Sequence, residues 1–337
     1  RPARYSIREG RLMHDATRKY KRVVQDCTQN RSAPYVHKAI EYVKSGKLGT
    51  IHFVRVCNLK GGGRHSTVPD SEAPPHVNYD MWLGPAPKRP FNARRFHGGW
   101  YNYWDYCGGD AGNDSSHQLD IFRMLFDNPE HPATVSCSGG RFAYDDGREV
   151  PDTQMCQFEY PELKMVMSFE LTGYPAFMSK IPGSIRDSDE FPHWLQCATR
   201  VEVYGSKQML VLGRHGGGWQ VFSSGSNAGP GKVEAQEFGR RPTPDHHRNF
   251  LDCIKSREKP NGDIEHGHMS AVLSHLANIA YRVGNRKLTF DGANEKFTGH
   301  HADEGNKIVN SEARAAHRSR DSVPGSNAPL PATAAPS

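Results

Sequence analysis

The apolar positions of this chain recur at helical spacing near its ends and at strand spacing through its middle. Ser6-Ile7-Arg8-Glu9 has the capping-box pattern and opens a helix that continues through Leu12, Met13, Ala16 and Tyr20. Val23 to Thr28 reads as a short strand. Pro34 suits a first helical turn, Val36, Ala39, Ile40 and Val43 follow at helical spacing, and Gly46 is placed to stop that helix. Ile51 to Leu59 is a second strand, so the order helix, strand, helix, strand predicts the tail of a parallel, doubly wound sheet.

After Gly112 the rhythm changes. A helix through Ile121, Met124 and Leu125 precedes strand-like runs at Ala133 to Tyr144, Thr153 to Tyr160, Leu163 to Thr172, Arg200 to Tyr204, Met209 to Leu212 and Trp219 to Phe222. Glycine and proline separate these runs, which predicts a mostly antiparallel sheet. Two helices follow, one opened by Thr243-Pro244 and carrying Phe250, Leu251 and Ile254, the other carrying Ala271, Val272, His275, Leu276, Ile279 and Ala280. They are expected to cover the sheet. The fold class is therefore α/β: the end of a parallel sheet, then an α+β unit with an open, mostly antiparallel sheet covered by helices. Residues 60–112 lack periodicity, and their aromatics, among them Trp82, Trp100 and Trp104, favour a packed functional loop. Beyond Thr298 the polar, proline- and alanine-rich chain is expected to be a disordered tail.

Composition narrows the class without naming it. The 337 residues have room for one large or two ordinary domains. With 36% hydrophobic residues and a mean hydropathy of -0.73, the chain has no apolar run long enough to span a bilayer. Its net charge of +6 comes from basic residues interleaved with acids, which argues against a nucleic-acid surface. Seven scattered cysteines, none in a C-x-x-C pair, read as isolated thiols and leave the compartment open. His246-His247 and His266-Gly267-His268 do not by themselves converge on a metal, and none is expected.

The segment from Gly108 to Asp120 is where chemistry is expected. Gly108, Gly109 and Gly112 permit unusual backbone turns, and Asn113, Asp114 or Ser115 can cap the helix that follows. His117 and Asp120 fall three apart, on one helical face. A histidine at that place is either a proton carrier near neutral pH or a satisfied boundary residue.

The ordered set Glu9-Gly10, Thr28-Gln29-Asn30-Arg31-Ser32, Ser45-Gly46-Lys47-Leu48-Gly49, Trp82-Leu83-Gly84-Pro85-Ala86, Trp104-Asp105-Tyr106, Asn113 to Asp120, Asn249 to Ser256 and His275 to Ala280 resembles the Gfo/Idh/MocA oxidoreductases. The likeness is closest to a bacterial subgroup common in planctomycetes. It implies a Rossmann domain that binds NAD or NADP, followed by a substrate domain whose open sheet builds a homodimer or homotetramer. On that basis residues 1–58 are the C-terminal remnant of the Rossmann domain, 59–297 the substrate domain and 298–337 the tail. No G-x-G-x-x-G occurs, so the dinucleotide fingerprint is expected upstream, and the chain, which opens at Arg1, is expected to be a fragment.

The resemblance assigns His117 as general acid/base, with Asn113 where the family usually has aspartate, Asp114 as an orienting carboxylate or a cap, and Arg1 where the family has its lysine. An arginine there stabilises an alkoxide but does not shuttle a proton. Arg31, His97, Trp100 and Asp120 are the substrate-binding candidates, and Arg1, Pro2, Gln29 and Asn30 what remains of the cofactor contact. The implied activity is NAD(P)-dependent oxidation of a sugar, sugar-acid or cyclitol hydroxyl. Two alternatives stay open: NAD-dependent glycoside cleavage, and a non-catalytic sugar-binding or oligomerisation module. The implied compartment is the cytoplasm, or outside it by a twin-arginine signal.

Overall fold

The computed structural model describes residues 5–60, 62–174, 178–224 and 231–309. Ten strands form one sheet: β1 (Ile51–Asn58), β2 (Thr134–Gly140), β3 (Thr153–Tyr160), β4 (Met165–Thr172), β5 (Thr199–Gly205), β6 (Gln208–Gly213), β7 (Trp219–Ser223), β8 (Val233–Glu237), β9 (Leu288–Asp291) and β10 (Lys296–Thr298). Their order is β10-β9-β2-β3-β4-β1-β5-β6-β7-β8. The fold is mixed α/β with a large, mostly antiparallel sheet covered by helices.

The domain boundary expected after residue 58 is not where the sheet divides. β1 lies in the middle, parallel to β4 and antiparallel to β5, with Asn58 opposite both Leu171 and Thr199. The expected strand from Val23 to Thr28 is also absent as a sheet member: Gln25 makes one isolated bridge to Asp263. Helical spacing before β1 had suggested an α/β alternation, yet a single strand placed between hairpin partners has the same local signature as a strand in a parallel sheet. At the other end, residues 302–309, which were expected to belong to a tail, form a helix, Ala302–Val309, and Phe297 packs into the core. Residues 310–337 lie outside the described residues.

Alternation along the strands sorts the two faces. Val54, Val56, Met167, Phe169, Val201, Val203, Leu210 and Leu212 point to one side and are buried. Helices Ser115–Leu125 and Ile264–Arg282 lie against that side through Leu119, Phe122, Leu273 and Leu276. Each such apolar side chain contributes about 1.5–3 kcal/mol on burial, which fixes the helices on this face. The opposite face carries Arg55, Glu170, Arg200 and Glu202 in a ladder of ion pairs, with Met155 and Val166 partly exposed.

The helix starts follow the local chemistry. Ser6 Oγ accepts from Glu9 N–H at 3.2 Å, so the first helix, Ile7–Lys19, begins where the capping pattern predicts. Pro34–Lys44 opens on its proline and is stopped near Gly46, whose φ is +73°. The 60–112 stretch is packed as expected: Leu83, Ala86, Tyr103 and Tyr106 form a small core with Tyr79, Trp82 and Trp100 around it.

Candidate active site

Everything that positions the candidate site sits at one end of the sheet, where β1, β4 and β6 finish and β5 starts. Asn58, the last residue of β1, donates from Nδ2 to Ser115 Oγ at 2.7 Å, and Ser115 Oγ donates to the Asp110 carbonyl at 2.9 Å. The strand end is thus tied to the junction of two short helical pieces, Gly109–Asn113 and Ser115–Leu125. Gly108 and Gly109 enter this junction at φ of +83° and +79°, where a side chain is strained. Asn278 holds the turn, donating to the Gly108 carbonyl at 2.8 Å.

Asp114 is the centre of the arrangement. Its side chain caps no helix; it meets Lys60 Nζ at 3.0 Å, Arg214 Nη2 at 3.4 Å and Lys180 Nζ at 4.0 Å. Lys60 also reaches Asp110 at 3.0 Å. Burial opposes ionisation of Asp114, but the charges of Arg214, Lys60 and Lys180 win and hold it well below the usual carboxylate range. Lys60 is pushed up because its two carboxylates outweigh its burial, whereas Lys180 is pushed down by burial and by the neighbouring cations.

His117 lies one turn along the helix from Asp114. Its Nδ1 is enclosed and has no hydrogen-bond partner among the described residues. Burial, followed by the charge of Arg214, lowers its pKa to about 3, with Asp114 only partly compensating. The ring is therefore neutral at pH 7, with an unspent nitrogen. His215 is kept neutral by the same two causes, burial and Arg214, and its Nδ1 pairs with Thr199 Oγ1 at 2.9 Å. Arg214 Nε and Asn58 Oδ1 are further buried polar atoms left without partners. Buried polar atoms are nearly always satisfied, so several orphans at one sheet end mark a place built to be completed by something else.

The structure brings together some of the sequence-predicted residues and separates others. His117 and Asp114 share the cluster, and Asn113 borders it, its Nδ2 3.4 Å from Asp110 Oδ1. Asp120 and Arg31 do not serve an open site. Arg31 donates to Asp120 Oδ1 from Nε at 2.9 Å and from Nη2 at 2.7 Å, Ser270 adds a third donor, and Asp120 is fully buried. This is an ion pair of the interior, and the shared helical face of His117 and Asp120 does not make the carboxylate a partner of the ring. Asn30 is buried, its Nδ2 donating to Tyr35 Oη and the Arg214 carbonyl at 3.0 Å each while its Oδ1 has no partner among the described residues, with Gln29 half-buried beside it. His97 is exposed against Phe96, and Trp100 belongs to the aromatic loop, its ring edge-on to Tyr101. Arg1 and Pro2 lie outside the described residues.

Lys60, Asp110, Lys180, Arg214 and His215 were missed by sequence reasoning. A weak signal existed for one pair: Arg214-His215 stands between a strand and Gly216-Gly217-Gly218, all three at positive φ. A Cβ at Gly218 would meet the Glu237 carbonyl oxygen at 1.9 Å, so the turn that presents Arg214 needs glycine. Among the described residues no group of three His, Cys, Asp or Glu side chains is arranged to hold a metal ion. His246 is bonded to Ser32 and the Asp26 carbonyl, and His268 to Glu295.

The model of the oxidoreductase family C-terminal alpha/beta domain, GFO_IDH_MocA_C2, matches residues 42–150 and 210–319, more than half of the chain. The chain belongs to the Gfo/Idh/MocA oxidoreductase family. No curated protein matches the sequence. Among solved structures, the WlbA dehydrogenase from Bordetella pertussis, in complex with NADH and UDP-GlcNAcA, is 16% identical with a TM-score of 0.54, the match covering 86% of this chain and 70% of that one. A levoglucosan dehydrogenase in complex with NADH and levoglucosan is 15% identical with a TM-score of 0.55, covering 86% and 71%. An inositol dehydrogenase homologue from Azotobacter vinelandii, complexed with NADH and myo-inositol, is 13% identical with a TM-score of 0.55, covering 86% and 70%. At these identities the likeness establishes a Gfo/Idh/MocA fold.

A nicotinamide dinucleotide does not fit the described residues along its whole length. β1 and β4 are the one parallel pair among the described strands, and neither runs through a glycine turn into a helix. What the described residues build at this end of the sheet is a polar, charged cluster.

The neutral state of His117 has a consequence for stability. An unfolded histidine titrates near 6.5, whereas the folded ring titrates near 3, so below pH 6.5 the unfolded chain takes up a proton first. The contribution is complete above pH 6.5 and declines as pH falls toward 3, by up to about 1.4 kcal/mol per pH unit. Urea midpoints measured between pH 7 and 4 are expected to fall less steeply for His117→Gln than for the unmodified chain; parallel curves would show that the ring is not held neutral.

Proposed function

We propose that this chain is the substrate-handling part of an oxidoreductase that acts on a hydroxyl-bearing carbon of a sugar, sugar acid or cyclitol. The observation that carries the reading is His117: a neutral imidazole with an unpartnered Nδ1, set beside the Asp114 cluster at the end of the sheet. A neutral imidazole accepts the proton of a substrate hydroxyl, and the surrounding donors hold the other hydroxyls. Lys60 stabilises the alkoxide that develops as the proton leaves. Asn113 orients a hydroxyl but takes no proton. The oxidant is NAD or NADP, which supplies the hydride acceptor when bound; its phosphates are not held by the residues described here.

A carbohydrate-binding module without turnover is the alternative outcome of the test. One experiment separates the two. Hexoses, hexonic acids and cyclitols are screened for saturable binding by calorimetry, and the bound compounds are then tested for hydride transfer to NAD and NADP. The proposal predicts that His117→Gln keeps binding within a few-fold while transfer falls by about 10²–10⁴. Transfer that survives the substitution contradicts it, and binding with no transfer in the unmodified chain selects the binding module.

We further propose that the open face of the sheet joins copies of the chain. Supporting this are Met155, Val166 and the 72%-exposed Leu195 on or beside that face, and a groove of about 590 Å³ lined by Trp194, Leu195, Met209, Val211 and Phe222. Sedimentation velocity is expected to find a dimer or tetramer that Val166→Glu weakens; a monomer at all concentrations contradicts this.

A further inference from the structure

The cluster around Asp114 contains more positive charge than its own carboxylates neutralise. Lys60, Lys180 and Arg214 converge on it, and among the described residues Asp110 and Asp114 oppose them, while His117 and His215 stay neutral. Arg186, whose Nε is bonded to the Ile181 carbonyl, adds further positive potential at Arg214 and His215. Two of the three converging cations are not fully engaged. Lys180 touches its carboxylate only at 4.0 Å, with its side chain 40% exposed. Arg214 is buried, with its Nε donor unpartnered. Buried or half-buried cations left over in this way are costly unless an anion completes them.

Resting on the carbohydrate reading above, we propose that the substrate is a sugar acid whose carboxylate is bound by Lys180 and Arg214. Three converging cations against two carboxylates leave an excess of positive charge that a carboxylate offsets. Lys180 reaches it from solvent as a mobile point charge, and the fixed guanidinium of Arg214 sets its orientation. The remaining hydroxyls then face His117 and Asn113. An anion at this position also lessens the repulsion that Arg214 and Lys180 exert on a protonated His117, so the acid itself brings the ring closer to the range where it exchanges protons.

The test is calorimetric and needs no turnover. Gluconate is compared with glucose, and galacturonate with galactose, on the full chain at low and high salt. The proposal predicts that each acid binds about tenfold or more tightly than its neutral partner and that the margin narrows with salt. Lys180→Met is expected to lower the affinity for the acids by about tenfold and to narrow their margin over the neutral sugars, and Lys180→Arg to restore most of the loss. Because Lys180 is partly exposed, these variants test binding without disturbing the core. Equal affinity for acid and neutral sugar overturns this proposal and leaves the carbohydrate reading standing. Tighter binding of glucose 6-phosphate than of gluconate overturns it in favour of a phosphate. Binding of none of these compounds overturns both readings.

Discussion

A single buried carboxylate, Asp114, holds this end of the molecule together. Its three cations come from separate stretches of chain: Lys60 just beyond β1, Lys180 from the connection between β4 and β5, and Arg214 at the end of β6. Without the carboxylate these cations would repel one another across a poorly solvated space, at a cost of about 3–5 kcal/mol for one buried charge left uncompensated. With it, four segments meet beside His117. The same charges depress the histidine's proton affinity, so the anchor of the local structure and the tuning of the candidate base are one interaction.

A second buried ion pair works at a different place. Arg31 and Asp120 join the turn before the Pro34–Lys44 helix to the inner side of the His117 helix, with Ser270 donating to Asp120 Oδ1 and Asn128 accepting from Arg31. That pair fixes the helix from below while Asp114 fixes its first turn from the side. His117 is thereby held on a rigid element between two polar anchors, as a group that must meet a hydroxyl with little tolerance for misplacement requires.

Local patterns carried much of the fold. The Ser6 cap, Pro34 and the alternation of β3 and β4 were readable because each depends on residues within a few positions of one another. The Gly108 to Asp120 segment stood out for the same reason, and it contains both His117 and Asp114. Partners were not readable. Asp114 could cap a helix or bind cations at equal face value, and only the arrival of Lys60, Lys180 and Arg214 decides between them. Asp120 illustrates the converse: three residues along a helix from His117, it turns to an arginine 89 positions earlier in sequence. β1 was misassigned because a strand's sequence reports its burial, not its neighbours; its antiparallel partner β5 begins 141 residues after Asn58 is reached in the chain's own numbering at Thr199.

The account as a whole depends on the His117 imidazole being neutral and free at Nδ1. Nitrogen-resolved NMR of the histidine side chains reads both properties at once. The account predicts that the His117 ring shows no protonation at pH 5 and that its Nδ1 signal moves when a bound carbohydrate hydroxyl is supplied. A ring that titrates near pH 6.5, or an Nδ1 signal indifferent to every carbohydrate that binds, would contradict it.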